Sequence, residues 1–191
     1  LWIIDPIDGT RGFVLKNGEF SVMIALVVAG QPVVGVVAEP AYDRITFAAA
    51  GGGCWSQTGA QEPIAVQVTN TVALADSTLI QSHTKADRGP TREVQVLQPR
   101  RVIETYSAGV KLARVADGTA DLYVCDYAAM NDWDLAAGHI LVTEAGGRVS
   151  NLAGEPRLYG REWPKQLGGL LATNGRLHDM AIQSLAETIL R

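Results

Sequence analysis

Leu1-Trp2-Ile3-Ile4-Asp5-Pro6-Ile7-Asp8-Gly9-Thr10 is the stretch that decides how this chain is read. Four apolar residues at the start read as a strand, and the strand runs into two aspartates three positions apart. Pro6 fixes its own φ, lacks an N–H donor and biases Asp5 towards an extended conformation. A strand that ends at Asp5 and turns through Pro6-Ile7 can aim both carboxylates into one space. Carboxylate oxygens with a backbone carbonyl between them are hard ligands suited to Mg²⁺. Gly9 lets backbone N–H groups approach an anion closely, and Thr10 adds a hydroxyl able to orient a water. Metal ligands beside an anion cradle are what metal-assisted phosphoryl transfer requires. Asp-Pro and Asp-Gly also form ordinary turns, so the fragment by itself fits a plain turn as well.

Working outward, the next third of the chain reads as an antiparallel meander with short connections. Phe20 to Val28, Val33 to Ala38 and Arg44 to Ala50 are apolar, β-branched runs bounded by Gly30, Pro40 and Gly51-Gly52-Gly53, after which Cys54-Trp55 follows. Residues 57–77 read as irregular, Thr78 to Gln81 as a short strand, and part of 85–97 as a polar helix. The second half alternates. Ser107 is a candidate N-cap for a helix through Ala116, ended by Asp117-Gly118. Ala120 to Cys125 is a strand. Asn131 or Asp132 can cap a helix to Ala145, stopped by Gly146-Gly147. Gly169 to Thr173 is a late strand and His178 to Leu190 a closing helix. Strands first and alternating elements later predict an α/β (α+β) layered architecture, with an antiparallel region over 1–106 and an α/β region over 107–191 forming one unit.

A second segment completes the pattern. Trp133-Asp134-Leu135-Ala136-Ala137-Gly138 opens a helix that ends Thr143-Glu144-Ala145-Gly146-Gly147. Singly, each part has a structural explanation: an acid in the first turn complements the helix dipole, Trp133 can pack in a core, and small residues allow close approach. Together, the two segments resemble the paired signatures of the inositol monophosphatase superfamily, Asp-Pro-(Ile/Leu)-Asp-Gly-Thr and Trp-Asp-x-Ala-(Ala/Gly)-Gly with a trailing Glu-Ala-Gly-Gly. The resemblance covers nearly the whole chain. It implies a layered αβαβα sandwich and a phosphomonoesterase using two or three Mg²⁺ ions. Asp5, Asp8, the Ile7 carbonyl and Asp134 would be metal ligands. Gly9 and Thr10 would hold the phosphate through backbone N–H groups, and Thr10 and Asp5 would take part in catalysis by metal-bound water, without a phosphoenzyme. The family also carries an upstream Gly-Glu-Glu-type ligand and an activating aspartate. This chain begins after both, which predicts an incomplete metal site, missing N-terminal helices and exposed apolar sheet surface.

The substrate class follows from the same resemblance. Thr10-Arg11-Gly12-Phe13 and Gly18-Glu19-Phe20 look most like the 3'(2'),5'-bisphosphate nucleotidase branch, and Lys111 falls where that branch keeps a lysine near the nucleotide, a point-charge partner for a second phosphate. Tyr106-Ser107-Ala108 instead resembles the Gly-Thr-Ala stretch near the sugar in inositol monophosphatases, which makes Ser107 and Ala108 candidate substrate contacts and leaves inositol 1-phosphate and fructose 1,6-bisphosphate as alternatives. Lys111 on a solvated helix face is the bland alternative. Residues 125–132 are expected to border the substrate in either case. His83, His139 and His178 share no metal-ligand spacing and read as structural or exposed.

Composition excludes other classes. The 191 residues carry a net charge of -4, and no basic run could track a phosphate backbone, which argues against nucleic-acid polymers. No apolar run is long enough to span a bilayer. Cys54 and Cys125 make no disulfide framework, so a reducing cytoplasm is the simpler reading. The expected partner is a small phosphorylated metabolite; homodimers are common in the family. The rival of another class is a non-catalytic metal- or phosphate-binding relic, against which stand the three retained acids.

Overall fold

Alternation of apolar and polar residues builds the first sheet, and helical spacing of small and apolar residues builds the layer beneath it. The computed structural model describes residues 1–84, 89–127 and 129–189. Six strands run β1 (Trp2–Asp8), β2 (Ser21–Val28), β3 (Gln31–Glu39), β4 (Arg44–Ala49), β5 (Cys54–Thr58) and β6 (Ile64–Val66), each antiparallel to its neighbour in chain order. A short helix, α1 (Thr10–Leu15), follows the first strand. A second sheet contains β7 (Thr78–Gln81), β8 (Arg101–Glu104), β9 (Leu122–Cys125), β11 (Arg148–Ser150) and β13 (Leu170–Thr173), in the order β11-β13-β9-β7-β8. β7 pairs in parallel with β8 and β9, whereas the β9–β13 and β13–β11 pairs are antiparallel. β10 (Ala129–Asn131) and β12 (Lys165–Leu167) form a separate antiparallel ribbon. The remaining helices are α2 (Arg92–Leu97), α3 (Ala108–Ala116), α4 (Asp132–Glu144) and α5 (His178–Ile189).

Alternate residues of the second sheet feed two cores. Ile80, Tyr123, Leu170 and Ala172 join Leu112, Leu135 and Leu141 of α3 and α4 in one. Leu79, Leu122, Val124 and Leu171 join Leu97, Leu177 and Ala181 in the other. The period of two in a strand places α3 and α4 on one face of this sheet and α2 and α5 on the opposite face. The first sheet meets the first core through Met23, Ala25, Val27 and Val37. The layers are therefore sheet, helix pair, sheet, helix pair. Each fully buried leucine in these cores contributes roughly 1.5–3 kcal/mol. Trp2, Ile4, Ile24, Val28 and Ile45 on the other face of the first sheet are exposed.

α4 is buried nearly all round because layers flank it on both sides, which is why its apolar positions are not confined to one stripe. Gly138 sets its distance from α3. A Cβ at that position would stand 2.3 Å from Leu112 Cδ1 and 2.5 Å from Leu112 Cβ, so only glycine fits. At the other end of α4, the Glu144 carboxylate accepts from the N–H groups of Gly51 and Gly53, both at 3.0 Å, clamping the β4–β5 turn to the helix.

Several boundaries differ from the sequence reading. The stretch 57–77 is not wholly irregular, since β5 runs to Thr58 and β6 occupies Ile64–Val66. α1, β8, β10, β11 and β12 carry no periodic signal, being three to six residues long. The helix expected in part of 85–97 is ordered as Arg92–Leu97, and residues 85–88 lie outside the described residues. The closing helix is described to Ile189.

Candidate metal centre

An irregularity in β1 puts both aspartates of the opening motif on one face. Asp5 pairs with Met23 and Asp8 with Ser21, so three steps along β1 match two along β2. Strict alternation would send residues three apart to opposite faces. The one extra residue restores the parity, as a β-bulge does, and Pro6, which cannot donate to a ladder, sits in it. Asp134 arrives from the first turn of α4. Ligand atoms of Asp5, Asp8 and Asp134 all lie within 4.8 Å of one another.

Each carboxylate is held through one oxygen. Asp5 Oδ1 accepts from the Ile7 N–H at 3.0 Å. Asp8 Oδ2 accepts from Ser107 Oγ at 2.5 Å and from the Gly109 N–H at 2.8 Å. Asp134 Oδ2 accepts from the backbone N–H and the side-chain amide of Asn131 at 2.7 and 3.1 Å, the first of these being one half of the capping box that starts α4. Among the described residues no hydrogen bond uses the second oxygen of any of the three. Burial is the main cause that lifts the Asp5 carboxyl to about 6, with the charge of Asp8 and then Asp134 adding and the Ile7 N–H opposing. Burial also raises Asp134, with Asp8 adding to it. Three crowded acids, each with an uncommitted oxygen, fit a hard divalent cation, which would remove the like-charge repulsion that the fold leaves standing.

The remaining predicted residues surround this cluster. Gly9 caps α1 with φ of 81°, and a Cβ there would lie 2.6 Å from the Glu19 carbonyl oxygen. Thr10 is exposed at the first position of α1, where helix N–H groups have no intrahelical partner. Ser107 is fully buried: besides donating to Asp8 it lies 2.9 Å from Ser21 Oγ and accepts from the Val110 N–H, as the N-cap of α3. Ala108 is buried beside it. Lys111 is not on a solvated face. It is 1% exposed, with Nζ donating to Ser82 Oγ at 3.0 Å and to the Tyr106 carbonyl at 3.2 Å, and lies over the Tyr123 ring. Burial lowers its ammonium to about 8, against the opposing pull of Asp8 first.

Sequence reasoning missed a second group of side chains close by. Glu19 Oε2 lies 2.7 Å from His83 Nε2 and accepts from the Tyr106 N–H, while Glu104 Oε2 is 3.4 Å from His83 Nδ1 and the His83 ring tilts against Tyr106. Its members are too far apart in sequence for any local signal. Of the two caps that the sequence offers for α4, the structure uses Asn131. His139 and His178 are structural: each is buried, held by Tyr159 in one case and by Ser150 and Thr173 in the other.

Comparison with known proteins agrees with this geometry. The chain is 33% identical over 187 residues to histidinol-phosphatase of Mycobacterium tuberculosis, covering 96% of this chain and 68% of that protein. It is 35% identical over 161 residues to the 3'(2'),5'-bisphosphate nucleotidase CysQ of Escherichia coli K12, covering 83% of this chain and 61% of that protein. Among solved structures, the IMPase of Thermotoga maritima superposes with a TM-score of 0.80 at 29% identity, over 99% of this chain and 69% of that one. The inositol monophosphatase of Anabaena (Nostoc) sp. PCC 7120 superposes with a TM-score of 0.79 at 31% identity, over 98% of this chain and 71% of that one. With its acids on a bulged strand and a capped helix, and with the description "Inositol monophosphatase family" matching residues 1–190, the chain belongs to the inositol monophosphatase family.

Proposed function

We propose that the protein hydrolyses a phosphomonoester of a small metabolite with Mg²⁺, and that Asp5, Asp8, the Ile7 carbonyl and Asp134 hold two or three ions. The observation that carries this reading is the uncommitted oxygen on each of three aspartates gathered within 4.8 Å. When bound, the cation supplies charge stabilisation to the phosphoryl oxygens and lowers the pKa of a coordinated water. The protein's own part is positional. The N–H groups that open α1, freed by Gly9, orient the phosphate, and the Thr10 hydroxyl orients the attacking water. Residues 1–106 and 107–191 act as one catalytic unit, since Asp8 of the first is fixed by Ser107 and Gly109 of the second.

A 3'(2'),5'-bisphosphate nucleotide is the preferred substrate, supported by the likeness to CysQ and by the cationic Lys111 near Asp8. Histidinol phosphate is the second reading. The likeness to histidinol-phosphatase covers 96% of the chain, and Glu19 and Glu104 around His83 offer negative charge to a substrate that carries an amine. The test, made on the full-length protein, is phosphate release from 3'-phosphoadenosine 5'-phosphate, histidinol phosphate, inositol 1-phosphate and fructose 1,6-bisphosphate, with and without Mg²⁺. Highest kcat/KM on the nucleotide is expected, with a raised KM for it in Lys111→Met. Preference for histidinol phosphate, lost in Glu19→Gln, selects the second reading. Release from none of the four leaves a binding relic and defeats the hydrolase reading.

A further inference from the structure

Arg157 is 4% exposed, yet its side chain is only half satisfied. Nη1 donates to the Leu167 carbonyl at 2.7 Å and to Gln166 Oε1 at 3.3 Å. Nε and Nη2 are buried with no hydrogen-bond partner. These two nitrogens form the side-on edge of the guanidinium, the edge that takes a carboxylate or phosphate through two parallel bonds. Arg44 in the same protein shows that edge in use: its Nε and Nη2 donate to the two oxygens of Glu39 at 2.9 and 2.7 Å. A buried guanidinium with an empty fork is costly, because both its charge and its donors have been taken from water without replacement.

The surroundings match the fork. Arg157 lines a cavity of about 270 Å³ together with Asn151, Glu155, Arg161, Lys165 and Gln166. Three of these side chains are cationic and one is anionic. Glu155 is occupied by the Asn151 amide at 2.7 Å, while no described ion pair engages Arg161 or Lys165. We propose that this cavity is an anion-binding site, separate from the aspartate cluster, in which Arg157 grips a small carboxylate or phosphate side-on and Arg161 and Lys165 add charge. The fork is shut off from bulk water, so an anion reaches it only where the cavity wall yields, and Arg161 and Lys165 are long, exposed side chains of that wall that can move. Gln166 extends the site inward. Its amide donates to Asp132 Oδ1 at 2.7 Å, and Asp132 is the first residue of α4, two positions before Asp134. An anion here would stiffen the segment that starts the helix bearing Asp134.

The test measures thermal stability of the protein in the presence of a chelator, so that no metal-bound phosphate contributes. Inorganic phosphate and acetate are each compared with chloride at matched ionic strength. A rise in Tm of several degrees is expected with at least one of them, and which one identifies the ligand chemistry. Arg157→Leu should melt at or above wild type in chloride, having lost an unpaired charge, and should show no rise with either anion. Arg157→Lys, which keeps the charge and loses the fork, should need at least tenfold more anion for the same rise. No anion-specific rise in wild type overturns the proposal, as does a rise that survives in both variants. A fall in Tm of Glu155→Gln in chloride, restored by neither anion, also overturns it, because Glu155 itself would then be filling the fork. If Arg157→Leu does not fold, the Arg157→Lys comparison decides by itself.

Discussion

Asp8 Oδ2 is committed to Ser107 and Gly109, and its other oxygen is the one we propose for a cation; Asp5 and Asp134 divide their oxygens in the same way. Asp8→Asn keeps an acceptor for Ser107 and Gly109 but lowers the charge of the cluster. It should weaken Mg²⁺ binding and phosphate release at least about 100-fold while moving Tm by only a few degrees, measured by calorimetric titration, assay and melting; an unchanged rate would refute the ligand assignment. Proton competition follows from Asp5, whose carboxyl is raised from 3.8 to about 6 by burial and by Asp8. Without metal, the contribution of Asp5 to stability is complete below about pH 4 and is lost as pH rises through 6. The rise in Tm on adding Mg²⁺ should therefore be large above pH 7 and small near pH 5, and a rise independent of pH would exclude Asp5 as a ligand. These three acids were legible in the sequence because each lies in a contiguous motif. The burial of Lys111 was not, because what encloses it, Ser82, Tyr106 and Tyr123, comes from other strands and loops.

At the scale of elements, the site depends on where α3 and α4 lie. Asp8 is bound to the N-terminus of α3 and Asp134 belongs to the first turn of α4, so the spacing of these two helices sets the spacing of two acids. Gly138→Ala would drive a methyl group into Leu112. It should cost about 1–3 kcal/mol in denaturant unfolding, as overpacking of a tight core does, and should reduce Mg²⁺ affinity as well; a stability loss with unaltered affinity would show that the helices can part without moving the acids. Long elements were readable from periodicity and caps: α3 starts at its predicted Ser107 cap and α4 ends where Gly146-Gly147 predicts. Strands such as β8, β11 and β12 were not, because three or four residues carry too few turns of any period and are defined by neighbours far away in sequence.

In the whole molecule, layering is what converts sequence alternation into two cores, and it also buries two histidines in neutral form. Burial lowers both His139 and His178 from 6.5 to about 4. Each stabilises the fold fully above pH 6.5, and that contribution is lost as pH falls towards 4. Unfolding free energy should thus decline from pH 6.5 downward, and His178→Asn should flatten the decline, as read from denaturant midpoints at pH 4.5 and 7.5; an equal slope in the variant would assign acid lability elsewhere. The αβ layering was legible from the order of elements, whereas the coupling between layers was not, because it resides in single contacts such as Asp8 with Ser107. The bulge in β1 has a consequence for time as well as place. It turns two acids of the first sheet towards one from the helix layer, so an ion seated among them is a rivet across a seam. With the rivet out, three like charges face each other at that seam, and the layers should separate there first: a chelator then acts on how fast the protein comes apart, before it acts on whether it does.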